Sequence, residues 1–413
     1  MASISSQLAP PVALERTASA IASARRAALA ERYATGSLTV EWRRLVELKA
    51  IESQWRDLAA CALEPNVFYE PGFALAAAPI FGADVGAVLV WSETRPRRLL
   101  GLFLARVSER RYGFKLPILV GWTHAYAPLG TPLVEREAAE PVIAAWLAQL
   151  AADPSLPDLL LLPLIAEDGP FAAALATILR RTRMPRADSG RHCRPLLAPP
   201  QDGRTQYIEH ALSQHRHKEL RRSGRRLADW GALLFTVASE PSDVAAALTD
   251  FFALEASGWK GKAGTAAAYD DDVRGFIATA LGALAAAGQV AVNRLLLDGR
   301  AIAATITLFS GGSAWFWKTA YDERLARYAP GMLLAAALTE QLADDPAVAR
   351  SDSVAAPGSS ALDHLWRERL ALCDRLVAVR PTAPLVRARR LERLRGIAVA
   401  AGKSIRAPFS GKR

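Results

Sequence analysis

The sequence is short of the residues and motifs that mark several large classes of protein. Its 413 residues include three cysteines, Cys61, Cys193 and Cys373, which lie far apart and form no C-x-x-C pair. This usage excludes a disulfide framework and a cysteine-based zinc site, and it is typical of a reducing compartment. The uncharged stretches 276–292 and 301–317 are shorter than the ~20 apolar residues of a spanning helix. We therefore expect a cytoplasmic protein without a transmembrane segment.

Catalytic signatures with a fixed spacing are missing as well. The chain has no G-x-S-x-G elbow, no G-x-G-x-x-G fingerprint and no P-loop, which excludes the enzyme classes that these motifs define. His215, Glu219 and Arg222 have helical spacing, but no second carboxylate or cysteine completes a metal site. We expect no metal cofactor.

Negative charge is scarce near the C-terminus. The net charge is +10, and residues 387–413 alone contain nine Lys or Arg and one Glu. Such a basic tail can contact nucleic acid or an anionic membrane surface, and the alternative is a solvated end. A predicted helix over Tyr207–Trp230 is also basic. It lacks the interleaved aromatic residues that stack on bases, so an anionic small molecule or a solvated face is favoured there over nucleic acid such as tRNA.

Length and composition indicate two folded units, because a chain of this length exceeds one ordinary hydrophobic core. In each unit the pattern predicts a strand, two helices, several antiparallel strands, and then helices alternating with strands. The predicted fold is therefore mixed α/β, with helices packed on a mixed sheet in two similar domains. The predicted divisions are a flexible leader (1–36), a first domain (37–197), a Pro/Gly linker (198–206), a second domain (207–380) and a basic tail (381–413).

The clearest local pattern lies between residues 289 and 342. Asp-Gly and Gly-Gly turns separate three apolar runs, which predicts a three-stranded antiparallel meander. The strands are predicted at residues 289–297, 301–309 and 314–321. A loop over 322–329 follows, and Pro330-Gly331 opens a helix that continues to Leu342, since proline suits the first helical position.

The start of this helix is a candidate anion site. Exposed N–H groups and the helix dipole attract phosphate at a helix N-terminus, and two arginines precede it. The candidate contacts are the backbone N–H groups of Gly331, Met332 and Leu333 and the side chains of Arg324 and Arg327. The alternative is an ordinary helix start with two surface arginines.

Two further pairs of residues have the composition of substrate contacts. Glycines flank Trp259 and Lys260, which indicates either a loop close to a ligand or a tryptophan that closes the core beside a solvated lysine. Lys318 and Asp322 bracket the end of the third strand. Strand alternation places Lys318 among aromatic neighbours, so we expect a buried lysine paired with Asp322 or Asp270. A structural ion pair and a substrate contact both remain open for it.

Four short motifs carry a resemblance to a known family. They are Ser257–Thr265 (SGWKGKAGT), Leu297–Ala303 (LDGRAIA), Trp317–Asp322 (WKTAYD) and Tyr328–Leu334 (YAPGMLL). In this order, over residues 214–380, the chain resembles the GNAT-fold acetyltransferases of the cellulose-biosynthesis type, which are related to the Fem-type aminoacyl transferases. The first domain has no motif that matches, although Fem-type enzymes contain two such domains. The resemblance implies tandem GNAT-like domains.

The resemblance also implies a donor, acyl-CoA and specifically acetyl-CoA, that binds where two strands of the sheet diverge. Its pyrophosphate would contact the loop and helix after the meander, where the family has Gln/Arg-x-x-Gly-x-Gly/Ala. Here the line is Arg327-Tyr-Ala-Pro330-Gly331-Met332, in which proline replaces the first glycine and removes one N–H donor. Either the phosphates bind one residue further on, or the domain uses another donor.

Attack of an amine or hydroxyl on a thioester needs a base whose pKa lies near neutrality. The candidates are His364, beside Asp363 and just after a strand, and Asp352, at the end of its strand. Tyr321 is a candidate acid toward the leaving thiolate. The resemblance implies that a position like that of His364 faces the substrate in Fem-type enzymes, and the alternative is a surface histidine.

The expected function is therefore transfer of an acyl group to an amine or hydroxyl of a sugar or polysaccharide precursor, as in exopolysaccharide or cellulose biosynthesis. No covalent enzyme intermediate is expected. Two alternatives remain open. One is a Fem-like enzyme whose donor is aminoacyl-tRNA, and the other is a non-catalytic domain that binds a partner in a polysaccharide assembly.

Overall fold

The computed structural model describes residues 38–198, 207–356 and 361–406. The predicted leader (1–36) and almost all of the predicted linker (198–206) lie outside these ranges.

Between residues 38 and 198, the first half has seven strands and four α-helices. The strands are β1 (Leu38–Arg44), β2 (Gly86–Ser92), β3 (Leu99–Arg111), β4 (Phe114–Gly121), β5 (Leu133–Val134), β6 (Leu159–Ala166) and β7 (Arg186–Leu197). The helices of this half, as far as the structure describes it, are α1 (Glu52–Ala60), α2 (Pro71–Phe81), α3 (Ala139–Ala152) and α4 (Pro170–Thr182).

The second half follows the same outline. Its strands are β8 (Leu233–Ala238), β9 (Val290–Leu297), β10 (Arg300–Ser310), β11 (Ser313–Tyr321), β12 (Arg350–Asp352) and β13 (Glu368–Ala378). Its described helices are α5 (Tyr207–Ala211), α6 (Gln214–Ala228), α7 (Pro241–Ser257), α8 (Trp259–Lys262), α9 (Asp271–Ala286), α10 (Pro330–Asp344) and α11 (Leu385–Arg406). Short 3₁₀ helices at Glu323–Tyr328 and Ala361–His364 join some of these elements.

The strands form one continuous sheet in the order β1-β2-β3-β4-β6-β13-β7-β12-β11-β10-β9-β8, with β5 beside β3. Each half contributes an antiparallel meander. The last strand of each meander pairs in parallel with a later strand of the same half: β4 with β6, and β11 with β12. The closing strands are exchanged, because β13 pairs with β6 and β7 pairs with β12. The halves therefore share a sheet instead of packing as separate bodies.

The meander and its helix form where the sequence predicts them. Asp298 and Gly299 have φ values of 48° and 77°, and Gly311 and Gly312 have 52° and 76°. Positive φ at both central residues is the requirement of a tight hairpin turn. Pro330 occupies the first turn of α10, as the punctuation indicates. The three strands and the helix of this stretch are thus confirmed.

Two helix predictions are wrong. The basic helix expected over Tyr207–Trp230 is interrupted, because the Ser213 side chain accepts a hydrogen bond from the Arg216 N–H and caps a new helix, α6. Serine competes for backbone partners in this way and favours helix starts over helix interiors. The sequence pattern also predicts a short helix over residues 362–369, between two strands, but the structure has a 3₁₀ turn that ends at His364, and β13 begins at Glu368.

Aromatic side chains join the two halves. Helix α2 packs on α9, where the Phe73 and Phe276 rings meet edge to face at 5.4 Å. The indole N–H of Trp317, on β11, donates to the Tyr126 carbonyl at 2.8 Å. The main apolar core includes buried side chains from both halves, so the interface is an extension of that core. In the part of the chain that is described, no helix is long and apolar enough to cross a bilayer.

Candidate active site

A cavity of about 660 Å³ opens where β11 and β12 diverge. These parallel strands pair from Ser313 with Arg350 to Trp315 with Asp352, and then separate. One wall is the rest of β11, residues 316–321, and another is the chain that follows β12, residues 353–356. The divergence predicted for an acyl-group donor is therefore present, and it leads into open space.

Three other segments complete the cavity. The first turns of α10 contribute Gly331 and Met332, and the end of α7 contributes Glu255. Tyr126 and Pro128 come from the first half and also line the cavity. The cavity is thus built mainly by the second half, with the first half supplying one wall.

The first turn of α10 is less open to an anion than its position indicates. Ala329 has φ of 51°, and its carbonyl accepts hydrogen bonds from the N–H groups of Met332 and Leu333, each at 3.0 Å. Pro330 has no N–H. Gly331 therefore supplies the first-turn amide that the Ala329 carbonyl does not engage. Of the three backbone amides expected to bind phosphate, one, that of Gly331, does not donate to the Ala329 carbonyl.

The two predicted arginines lie away from this cavity. Arg324 donates to Asp322 from Nε at 2.9 Å and from Nη2 at 2.6 Å, and these hydrogen bonds lower the pKa of the Asp322 carboxyl. Arg324 and Asp322 line a second cavity of about 720 Å³ instead. The Arg327 guanidinium lies 4.7 Å from the Tyr328 ring centroid and 5.7 Å from that of Trp230.

Glu255 brings the predicted lysines together, and sequence reasoning missed it. Its carboxylate is 1 % exposed, accepts from Lys260 Nζ at 2.8 Å and lies 3.2 Å from Lys318 Nζ. The second oxygen accepts from the Ala267 N–H at 2.9 Å. The expected partners of Lys318, Asp322 and Asp270, are therefore wrong, although its burial is as predicted.

A sequence signal for Glu255 exists. Helix α7 buries Val244, Leu248 and Phe251, and continuing this helical spacing leads to position 255. A glutamate at a core position of an amphipathic helix needs a cationic partner, since an unpaired buried charge is very costly. That pattern was visible without the structure.

Burial and charge act against each other in this cluster. Burial opposes ionisation of Glu255, but the nearby ammonium groups of Lys318 and Lys260 outweigh it and hold the pKa of the carboxyl below its usual value. Burial lowers the pKa of Lys318, and Glu255 counteracts this effect. Lys318 also lies 4.9 Å from the Tyr126 ring centroid. The cavity thus contains an ionised carboxylate at neutral pH and a lysine that holds its proton less tightly than usual.

Of the other predicted residues, two line the cavity and two lie elsewhere. Trp259 lines the cavity and is 62 % exposed, so it does not close the core. Tyr321 also lines the cavity, at 36 % exposure. His364 is exposed on its 3₁₀ turn, and Asp352 is buried in an ion pair with Arg194. Of the three candidates for proton transfer, Tyr321 alone lines the cavity in the described part of the chain.

The first half fills the space that corresponds to this cavity. Strands β4 and β6 also diverge, after Val120 and Leu161. There the Gly130 N–H donates to the Leu164 carbonyl at 3.2 Å. A Cβ added to Gly130 would lie 2.1 Å from the Pro163 carbonyl oxygen, so the returning chain packs directly against the end of β6. The two similar halves therefore differ in the space at their diverging strands, and the second is the candidate for catalysis.

His124 lies in the interface between the two halves, near Phe276. Its titration should make the stability of the protein depend on pH. Its ring stacks on Phe81 at 4.2 Å, and its Nε2 has no hydrogen-bond partner among the described residues. Burial lowers the pKa of His124 to about 3. An unfolded chain with a histidine pKa of about 6.5 binds a proton that the folded chain excludes. Stability therefore falls as the pH drops from 6.5 toward 3.

We expect the free energy of unfolding of the wild-type protein to fall by about 2 kcal/mol more than that of His124→Phe between pH 8 and pH 5. Urea denaturation at the two pH values measures both proteins. Carboxylates elsewhere titrate equally in both and cancel from the comparison. An identical pH dependence would contradict a neutral, buried His124.

Comparisons with known proteins agree with this architecture. Residues 214–357 match the family model described as an acetyltransferase (GNAT) domain. FemX is similar in structure, with a TM-score of 0.51 and 9 % identity over 79 % of this chain and 95 % of that one. A tandem GNAT protein from the clavulanic acid biosynthesis pathway has a TM-score of 0.39 and 14 % identity over 84 % of this chain and 99 % of that one. 

A C-terminal domain assigned to a lysylphosphatidylglycerol synthetase from Agrobacterium fabrum has a TM-score of 0.49 and 13 % identity, over 82 % of this chain and 95 % of that one. No curated protein matches the sequence. The match to the GNAT model falls on the half that contains the cavity, and the likeness to FemX extends over both halves. The chain therefore has the mixed α/β fold with tandem GNAT-like halves that the sequence predicts, and residues 214–357 match the GNAT acetyltransferase domain.

Proposed function

We propose that the protein is a cytoplasmic acyltransferase. It moves an acetyl or related acyl group from acyl-CoA to an amine or hydroxyl of a sugar or polysaccharide precursor, as in the GNAT acetyltransferases of the cellulose-biosynthesis type. The observation that carries the proposal is the cavity between the diverging strands β11 and β12, with the start of α10 on one side and the Glu255 cluster on another.

The donor side of the cavity suits a slender chain. Small residues line it beside α10, namely Ala326, Ala329, Gly331 and Ala335, and they leave room for the pantetheine arm of coenzyme A. The fit to the diphosphate is weaker, since the first turn of α10 offers the Gly331 amide and lacks the donor that Pro330 removes. The acyl-CoA donor would thus be bound chiefly through the pantetheine arm of coenzyme A.

The acceptor side is the charged end, where Tyr126, Glu255 and Lys318 meet. The acceptor nitrogen or oxygen forms a bond to the thioester carbonyl carbon, and the carbon–sulfur bond breaks. Glu255 accepts a hydrogen bond from the acceptor amine or hydroxyl and orients it, the proton of the acceptor passes to water, and the Tyr321 hydroxyl donates a proton to the leaving thiolate. Holding both reactants in one cavity supplies much of the rate. His364 and Asp352 stay predictions as alternative bases.

Calorimetric titration with acetyl-CoA and with coenzyme A tests the donor. We expect both to bind the wild-type protein and neither to bind Ala355→Trp, because Ala355 is half-buried on the cavity wall and an indole there fills the donor space. Ala246→Trp is the matched control, since Ala246 is exposed on α7 away from both cavities. Absence of binding to the wild-type protein would contradict acyl-CoA as the donor.

A second candidate is a Fem-like transferase that uses aminoacyl-tRNA. The single amide at the start of α10 favours it, and so does the exposed cationic face of α6. The exposed cations of this helix are Arg216, Lys218, Arg221, Arg222, Arg225 and Arg226, and the exposed Glu219 lies among them. Binding of tRNA should then weaken about a thousandfold between 50 and 200 mM salt, and Arg222→Gln/Arg225→Gln/Arg226→Gln should reduce the salt dependence. Acetyl-CoA binding without tRNA binding would exclude this candidate.

A further inference from the structure

Helix α11 is attached to the first half by one of its faces. Ala388 is buried, and Leu385 and Leu391 pack beside it on an apolar patch of the sheet that includes Leu116 and Leu376. Glu392 is buried on the same face, where it accepts from Arg111 Nε at 2.8 Å and from the Tyr112 hydroxyl at 2.8 Å. The orientation of the first turns of α11 is therefore fixed, and its opposite face is presented outward.

The outward face combines large aliphatic side chains with arginines. Val386, Leu394 and Ile397 are 66 %, 62 % and 67 % exposed. At 100° per residue they fall within about 80° of arc on the helix. Exposed arginines lie within and beside this arc, at Arg387, Arg389, Arg390 and Arg393. Single exposed aliphatic residues are ordinary, but several on one helix face, interleaved with cations and bordered by them, are typical of a helix that lies in a membrane interface.

We propose that the outer face of α11 docks the protein on an anionic phospholipid surface. The arginines contact lipid phosphates, and the three aliphatic side chains enter the boundary between headgroups and acyl chains. The partner of Glu392 is Arg111, so this acidic residue does not offset the outward positive charge. The proposal depends neither on the donor nor on the acceptor of the transfer reaction.

Two other occupants fit less well. Nucleic acid would be attracted by the arginines, but it gives Val386, Leu394 and Ile397 no apolar medium, and α11 itself, Leu385–Arg406, has no aromatic residue for stacking on bases. A second copy of the chain would bring two arginine-rich faces together, and like charges in contact oppose association. Lipid satisfies both the charge and the apolar strip.

Co-sedimentation of the full-length protein with vesicles tests the proposal. We expect binding to phosphatidylcholine vesicles that contain about 30 % phosphatidylglycerol, and no binding to pure phosphatidylcholine. Arg389→Gln/Arg390→Gln/Arg393→Gln should weaken binding about 100-fold, at about fivefold per cation. Val386→Ser/Leu394→Ser/Ile397→Ser should weaken it at least as much, since the apolar contribution is lost.

The matched control is Leu234→Ser/Val237→Ser, which removes exposed aliphatic side chains of β8, on another part of the surface, and should bind as the wild-type protein does. All changes are at exposed positions, and unaltered thermal melting verifies folding. Three results would overturn the proposal. They are no binding of the wild-type protein to the anionic vesicles, unchanged binding of the serine variant, and a self-association in sedimentation velocity that the serine variant abolishes.

Discussion

Replacing Glu255 with glutamine should lower acyl transfer about 100-fold, because the acceptor is no longer held in position, and should lower the free energy of unfolding by about 3–5 kcal/mol. The carboxylate is 1 % exposed and compensates Lys318, whose side chain is 12 % exposed. Without it, the ammonium of Lys318 remains buried with no counter-charge, and its burial lowers the lysine pKa without opposition. Urea denaturation measures the loss of stability, and thiol release from acetyl-CoA with amine acceptors measures the transfer.

Two control variants separate charge from chemistry. Glu255→Gln/Lys318→Met removes both buried charges, so most of the lost stability should return, whereas transfer should stay low because the acceptor has lost its carboxylate. Glu323→Gln removes the partner of Lys262, which is 70 % exposed, and should leave the stability close to that of the wild-type protein. Full stability and full transfer in Glu255→Gln would contradict the assigned role of this cluster.

The sequence predicts the meander and α10 well because the rules that form them are local. A turn that requires positive φ, such as Asp298-Gly299, and a proline at the first helical position, Pro330, act over a few residues. The single helix predicted over Tyr207–Trp230 is wrong for an equally local reason, since serine favours a helix start over a helix interior and Ser213 caps α6. Local chemistry therefore determines most element boundaries near the cavity.

The contents of the cavity depend on contacts between distant parts of the chain. Strand alternation indicates that Lys318 is buried, but it does not choose among Asp270, Asp322 and Glu255 as the partner. The choice follows from the packing of α7 against the sheet. The exchange of β7 and β13 between the halves likewise has no local signature, because strand pairing is set by the whole sheet. Tyr126 reaches the cavity only through that arrangement.

The second large expected effect concerns a buried ion pair between the two halves of the shared sheet. Asp352 lies on β12, of the second half, and Arg194 lies on β7, of the first. Their side chains are 7 % and 3 % exposed and form an ion pair, and Asp352 also accepts from the Val354 N–H at 2.9 Å. Replacing Asp352 with asparagine leaves the Arg194 guanidinium buried without its counter-charge. We expect the free energy of unfolding to fall by about 3–5 kcal/mol, measured by urea denaturation.

The double variant Asp352→Leu/Arg194→Met decides between structure and catalysis for this aspartate. If Asp352 only holds β12 against β7, removing both charges should restore stability to within about 1–2 kcal/mol and leave thiol release from acetyl-CoA close to the wild-type rate. If Asp352 is the catalytic base, the same protein should fold normally and transfer at least ~100-fold more slowly. Asp352 points into the pair with Arg194 and does not line the cavity. We therefore expect the first result. The ion pair would then stabilise the pairing of β12 with β7, and Asp352 would take no part in the reaction.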